Sequence, residues 1–441
     1  MAEPTSQLRT IERLASLALI LEGALWLRVA AAVVVQWYAQ RKGELCLFPD
    51  TNIYWALAWT IVENEPFEVT MWGNLPHFAL RTPGYPLFLA VCQLVFGNRL
   101  LPVRLAQAVL GALSVGLVYR LTARLAPARP GQTGWTVPLI AAALAAIDPY
   151  LVLTSALVLS EALFLPLMLF ALWGLAVLWT TDDLEPKRAW LWALGVGLAS
   201  GAAIQVRPSW ALLVPAILFV WVVASRRGRR GAAIRGALIV VLGVVVVMAP
   251  WWARNARIYG RFVPTALWMG ASLYDGLNPR ATGASDMEFL NAPEIRVLGE
   301  EDQETVLRDR ALAFVAAQPG RAAWLAVVKF GRYWSPWPNA RGLTSPMISL
   351  VSAAWTLPQF ALLALGLWDR RRDPRALALM AGPLLYFCVL HMIFAGSMRY
   401  RIPAMMPAMG LVAIGMERIT RRLLHNDSPR NKGNSSTDGH R

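Results

Sequence analysis

Charge is what this sequence has least of. Asp, Glu, Lys and Arg make up only 16% of its 441 residues while 56% are hydrophobic, against about 25% charged in average soluble domains. A chain of this size cannot clothe a soluble globule with so little polar surface, so a soluble enzyme is excluded, as is a disordered or collagen-like chain. Cysteine is scarce too: Cys46, Cys92 and Cys388 form no C-x-x-C pair and no disulfide framework. The four histidines (His77, His391, His425, His440) form no ligand cluster of the H-x-x-H kind. No Walker-type phosphate loop and no dinucleotide fingerprint occur. No D-x-D that would hold a metal–nucleotide diphosphate is present, Asp286-Met287-Glu288 being the nearest approach. No cofactor and no obligatory metal is therefore expected, although divalent metal assistance remains compatible with the chemistry discussed below.

Long apolar runs are abundant. Ten segments read as membrane spans, near residues 14–38, 100–125, 135–150, 158–180, 189–206, 209–224, 232–250, 346–368, 376–395 and 402–419. The first begins after Arg9 and Arg13, contains Glu22 and Arg28 and lacks a small-residue cleavage site, so it reads as a retained span rather than a signal peptide. Gly84–Phe96 is apolar but short, and is better placed as an interfacial or re-entrant helix. With the N-terminus inside, the basic clusters all fall on one side: Arg120, Arg124 and Arg129, Lys187 and Arg188, Arg226 to Arg235, Arg370 to Arg375, and the tail. That is the positive-inside pattern. It accounts for the net charge of +15 without nucleic acid as a partner. Both termini are then cytoplasmic. Residues 1–425 form one polytopic domain with outer loops at about 39–99 and 251–345, and 426–441 form a polar, disordered tail.

Chemistry is expected on the outer face, where the polar, acid-bearing segments lie. Nucleotide sugars and ATP are cytosolic, so group transfer there calls for a lipid-anchored donor. In the first outer loop, Asp50 precedes Ile53, Leu57 and Ile61, spaced as one face of an amphipathic helix lying on the membrane. In isolation Asp50 reads as its N-cap. The loop ends in Arg81-Thr82-Pro83-Gly84-Tyr85-Pro86, an Arg and a turn at a helix start, which can bind phosphate or simply snorkel. Glu161 stands at the mouth of an apolar span, where a carboxylate is costly unless paired or wet. Catalysis and a structural pair with an Arg are both open for it. Asp148 reads as a helix-end or turn residue and Arg207 as structural, while the partners of Glu22 and Arg28 are not evident.

Several of these segments together resemble a known family. Pro49-Asp50, Tyr54 and Ala58, followed by Arg81-Thr82-Pro83-Gly84-Tyr85-Pro86-Leu87, look like the first-loop signature of bacterial GT-C membrane glycosyltransferases. These are relatives of the protein O-mannosyltransferases and the lipid A aminoarabinose transferases. Asp148-Pro149-Tyr150 with Ser160-Glu161-Ala162-Leu163-Phe164 resembles the second acidic motif. Pro250-Trp251-Trp252-Ala253-Arg254-Asn255, with Gly260 and Gly276-Leu277-Asn278-Pro279, is similar to the start of the family's large outer loop, and Lys329-Phe330 with Trp334-Ser335-Pro336 to its end. His391 and Arg399-Tyr400-Arg401-Ile402-Pro403 look like the motif before the last span. The matches run in order over about residues 10–420.

The resemblance implies an all-α GT-C fold of about ten spans, with amphipathic interfacial helices in the first outer loop and a large outer loop before the last three spans. It also implies transfer of a sugar from a polyprenyl-phosphate donor to an acceptor on an envelope lipid, glycan or protein at the periplasmic face of a bacterial inner membrane. Asp50 would be the general base and Glu161 the second acid. Arg399 and Arg401, then Arg81 and Lys329, would hold the donor phosphate, Arg being suited to bidentate contact. Tyr54, Tyr85, His391 and Tyr400 would line the substrate cavity. The competing readings are a secondary transporter or lipid-linked sugar flippase, and a non-catalytic scaffold. A transporter usually shows internal repeats; none is found here, and a long outer loop is hard to explain for a carrier.

Overall fold

The structure is a computed structural model, and it describes residues 4–43, 47–71, 75–128, 135–339 and 345–426. The first span is α1 (Pro4–Lys42). The first long loop holds α2 (Pro49–Val62), a hairpin of β1 (Val69–Met71) and β2 (Leu75–His77), and α3 (Gly84–Phe96). The hairpin pairs Val69 with His77 and Met71 with Leu75. The sequence reading did not anticipate it. The helices α4 (Leu100–Leu125), α5 (Val137–Ile147), α6 (Pro149–Ala156), α7 (Glu161–Thr180), α8 (Pro186–Val206), α9 (Leu213–Ala224) and α10 (Arg230–Tyr259) follow. The second long loop carries α11 (Met269–Gly276), the short α12 (Pro293–Arg296), α13 (Glu300–Ala317) and α14 (Pro319–Tyr333). Then come α15 (Pro346–Arg370), α16 (Pro374–Ala376), α17 (Gly382–Ile393) and α18 (Arg401–Asn426). Apart from Asn426, which ends α18, the expected tail lies outside the described residues, as does Cys46.

Among the described residues eight helices are long and apolar enough to cross a membrane, and up to ten if two bent pairs are counted. This is a multi-pass membrane protein. The pair α13–α14 bends by 107°, and α13 opens with Glu300, Glu301 and Asp302, so it belongs to the second long loop rather than to a span. The other pair, α5–α6, bends by 54° at Asp148. Pro149 sits in the first turn of α6, and the Asp148 carboxylate caps that helix by accepting from the N–H groups of Tyr150 and Leu151 at 3.0 Å. The reading of Asp148 as a helix-end residue matches its place.

Breaking a helix inside a bilayer leaves carbonyls that water cannot reach. Two buried arginines supply the missing donors. Arg28 donates to the carbonyls of Ala145 and Ala146 at 3.0 Å, closing α5. Arg104 donates to the carbonyl of Ala156 at 3.0 Å, closing α6, and to Gln36 at 2.7 Å.

Helices α8 and α10 pack closely, as do α15 and α18. The α8–α10 crossing depends on facing glycines: a Cβ on Gly243 would stand 2.8 Å from the Cα of Gly197. The basic ends collect at one end of the molecule. Arg124 donates to Thr181 (2.7 Å), Arg229 pairs with Asp182, and Arg370 donates to the Leu125 carbonyl (3.3 Å).

The two long loops are joined. The Glu300 carboxylate accepts from the N–H groups of Phe78 (2.8 Å) and Ala79 (3.1 Å), and the Leu267 N–H donates to the Ala79 carbonyl at 2.8 Å. Arg254 donates to the carbonyls of Phe78 and Phe67 at 2.8 and 2.7 Å. The face of α2 formed by Ile53 and Leu57 packs on Leu80 with Phe67, Val69 and Trp268. That face, expected to lie on the membrane, is covered by the protein's own loops.

Candidate active site

Five chain segments converge at one end of the bundle. Helix α2 starts at Pro49, and its N-cap is Phe48 with no side-chain cap bond. Asp50 is therefore in the first turn rather than at the cap, and its half-buried carboxylate is turned to two arginines. One oxygen lies 3.4 Å from Arg81 Nη2 and the other 3.2 Å from Arg399 Nη1.

Glu161 is the first residue of α7 and is 2% exposed. A carboxylate there gains from the helix N-terminus, but burial demands charged partners. It has two. Glu161 Oε1 accepts from Arg399 Nε and from Arg207 Nη1, each at 2.8 Å. Arg399 thus bridges the two carboxylates, and the cluster sets three guanidiniums against two acids.

Local sequence explains each placement. Pro208 forbids Arg207 a helical conformation, so α8 stops at Val206 and Arg207, with φ −140° and ψ 100°, is held at the span's mouth. Gly84 lets the start of α3 touch that same end: a Cβ on it would lie 2.6 Å from the Gln205 carbonyl carbon. Arg81, three residues earlier, is carried toward Arg207, with Trp268 4.8 Å and Tyr54 5.9 Å from its guanidinium. Arg399 lies in the linker between α17 and α18, over the Phe48 ring at 5.5 Å.

Two of the four proposed phosphate ligands are elsewhere. Lys329 is fully buried and donates to the Ile393 carbonyl at 2.6 Å, closing the end of α17. Arg401 donates to the carbonyls of Tyr333 and Ser335 at 2.8 Å and packs over Phe360. With Arg332, which donates to the Gly396 carbonyl at 3.0 Å, they fasten the linker that presents Arg399. Their cations are taken up by orphan helix-end carbonyls and do not reach Asp50 or Glu161.

Arg401 also borders a small pocket with Asp148, Tyr150, Thr356 and Gln359, whose lining includes none of the five clustered residues. Tyr85 does not face open space either. It is fully buried, accepts from Gln107 Nε2 at 2.8 Å, and meets Tyr54 edge-on. Tyr54 is half-buried beside Arg81. His391 is buried and stacks on half-buried Tyr400, next to Arg399.

Arg207, read from the sequence as structural, is the cluster member absent from the expected site residues; Pro208, which ends α8 just before it, was the available signal. Among the described residues no three His, Cys, Asp or Glu side chains gather as a metal-ligand set. Further out, burial pushes the Asp275 carboxyl above its ordinary value, even though it accepts from the Asp286 N–H at 2.6 Å.

The architecture matches solved membrane proteins. The oligosaccharyltransferase of Archaeoglobus fulgidus, in complex with an inhibitory peptide and a dolichol-phosphate, superposes with a TM-score of 0.55 at 14% identity, covering 94% of this chain and 52% of that one. Its apo form gives 0.56 at 13% identity, with 93% and 52% covered. The chain has the GT-C fold.

Sequence comparison agrees over part of the chain. Residues 80–253 match the family described as dolichyl-phosphate-mannose-protein mannosyltransferase, a stretch that contains Arg81, Glu161 and Arg207. An undecaprenyl phosphate-α-4-amino-4-deoxy-L-arabinose arabinosyl transferase of Pseudomonas fluorescens is 28% identical over 209 residues, 46% of this chain. The match covers 34% of that relative, about a third of its length.

Proposed function

We propose that this GT-C protein is a membrane glycosyltransferase of the bacterial inner membrane. It transfers a sugar from a polyprenyl-phosphate donor to an acceptor hydroxyl on an envelope lipid, glycan or protein, at the extracytoplasmic face. The observation that carries this reading is the Arg81–Asp50–Arg399–Glu161–Arg207 cluster. It has one cation in excess and a half-open carboxylate, which suits an incoming phosphate. Supporting it, the matched family and relative are named for polyprenyl-phosphate sugars. The basic ends gathered opposite the cluster support, by the positive-inside rule, an outward-facing cluster with both termini cytoplasmic.

The step balances as a single displacement. Asp50 takes the acceptor O–H proton, the acceptor oxygen bonds to the anomeric carbon, and the bond from that carbon to the phosphate oxygen breaks. The phosphate leaves as an anion and needs no acid. It needs positive charge that strengthens as the bond lengthens, which Arg399, Arg207 and Arg81 supply. Arg399 also touches Asp50 in the free protein, so phosphate binding draws a cation away from the base and releases it for the acceptor.

Purified protein in proteoliposomes, supplied with undecaprenyl-phosphate sugars and envelope extracts, tests the reading. Asp50→Asn should lower transfer about 10²–10⁴-fold while undecaprenyl phosphate is still retained. Transfer at the wild-type rate would remove Asp50 as base, and movement of sugar lipid with no new glycosidic bond would favour a transporter.

A further inference from the structure

His391 is a polar residue that the proposed chemistry leaves unused. It lies one turn or less from the end of α17, and its ring stacks flat on Tyr400, with centroids 3.8 Å apart and planes 3° apart. Phe387 lies roughly parallel at 6.5 Å. Nδ1 is 3.0 Å from the Ala395 carbonyl. A carbonyl only accepts, so the proton is on Nδ1, and in the neutral ring Nε2 keeps a lone pair. That Nε2 is buried and has no hydrogen-bond partner. Stacked on Tyr400 and tethered through Nδ1, the ring cannot swing Nε2 to another donor. An acceptor fixed and left empty in this way suits a ligand donor.

The neighbours indicate which ligand. Tyr400 directly follows Arg399. The linker between them and α17 is pinned by Lys329 at Ile393, by Arg332 at Gly396, and by Ser397 donating to Asn339 Oδ1 at 3.3 Å. His391 therefore holds a set position relative to the cation that bridges the two carboxylates. Arg207 lies over the Phe164 ring, which meets Phe387, the ring beside His391, so a phosphate on Arg399 and Arg207 would carry its glycosyl group toward His391. We propose that His391 Nε2 accepts a hydrogen bond from a hydroxyl of the donor's glycosyl group and so fixes which sugar, and which face of it, meets Asp50. This rests on the glycosyltransferase reading above.

The test is binding by the full chain in nanodiscs, with two kinds of probe: undecaprenyl phosphate alone, and undecaprenyl phosphate carrying mannose, glucose or 4-amino-4-deoxyarabinose. Wild type should bind one glycosylated lipid more tightly than the bare carrier. His391→Phe, which keeps the stack but not the acceptor, should lose about tenfold of that preference with carrier affinity unchanged. His391→Gln, whose amide oxygen reaches the Nε2 position, should keep most of it. Equal binding of bare and glycosylated carrier by wild type would overturn the proposal, as would an unchanged preference in His391→Phe. An equal loss for both lipids in His391→Phe would make the residue structural. No binding of any polyprenyl phosphate by wild type would instead overturn the glycosyltransferase reading itself.

Discussion

Glu161 and Asp50 are both acids with arginine partners, and their surroundings separate what they do. The Glu161 side chain is 3% exposed and shares one oxygen between Arg399 and Arg207, whereas that of Asp50 is 36% exposed and its contacts are longer. Truncating a buried ion-pair partner strands the charges opposite it, at about 3–5 kcal/mol. Glu161→Ala should therefore lower the melting temperature of the purified protein markedly, and Asp50→Asn should hardly move it. A melting temperature unchanged by Glu161→Ala would refute this division. The sequence reading grouped Arg399 with Arg401, but residues two apart do not face the same way where a helix begins, and the structure sends Arg401 to the carbonyls of Tyr333 and Ser335. Patterns find charged residues at span mouths. They do not find the direction a side chain takes when an orphan carbonyl competes with a ligand.

The broken span is the element on which the bundle's polar interior depends. Arg28 was visible as a charge inside the first span, but its purpose could not be read until α5 was seen to end against it. Arg28→Ala leaves two carbonyls without donors in the membrane, at about 1–3 kcal/mol each. Detergent-solubilised Arg28→Ala should melt at lower temperature and exchange amide hydrogens faster at 145–150, and wild-type exchange there would refute the capping role. The bend itself was legible in part, since Asp148-Pro149 is a helix stop followed by a helix start. The hairpin 69–77 was not legible, because three-residue strands carry too little alternation to register. Its place is set by Glu300 and Arg254, residues that lie far away in the chain.

Across the whole molecule, the ends of the bundle differ in kind. One gathers basic residues between spans, and the other gathers acids, arginines and both folded loops. The orientation is testable with single cysteines in a background lacking native ones. A cysteine at Gln318 should react with a membrane-impermeant maleimide in intact cells, and one at Arg230 only after lysis. The reverse pattern would invert the proposed topology.

The second long loop also has a pH signature. Burial raises the Asp275 carboxyl above its unfolded value, so the folded loop binds a proton that the unfolded one releases. That contribution is complete below the unfolded value near pH 4 and is lost as pH rises through the folded one. Asp275→Asn should melt slightly higher than wild type at pH 7, with the gap closing toward pH 4. A pH-independent gap would argue that burial of the charge is not the cause.

The scarcity of charge determined from sequence alone that the chain must live in a membrane. Hydrophobic run lengths marked most of its spans, although the expected span 209–224 holds only a short apolar helix, α9, and the charge remaining in the loops set which segments face together. Those properties are local, because the bilayer reads each helix by its own length and polarity. Only the tertiary structure decided that Arg207 joins the acids while Lys329 and Arg401 hold a linker, and that α2 packs under loops rather than on lipid. Those outcomes turn on which buried donor meets which buried acceptor, and that is settled among segments far apart in the chain.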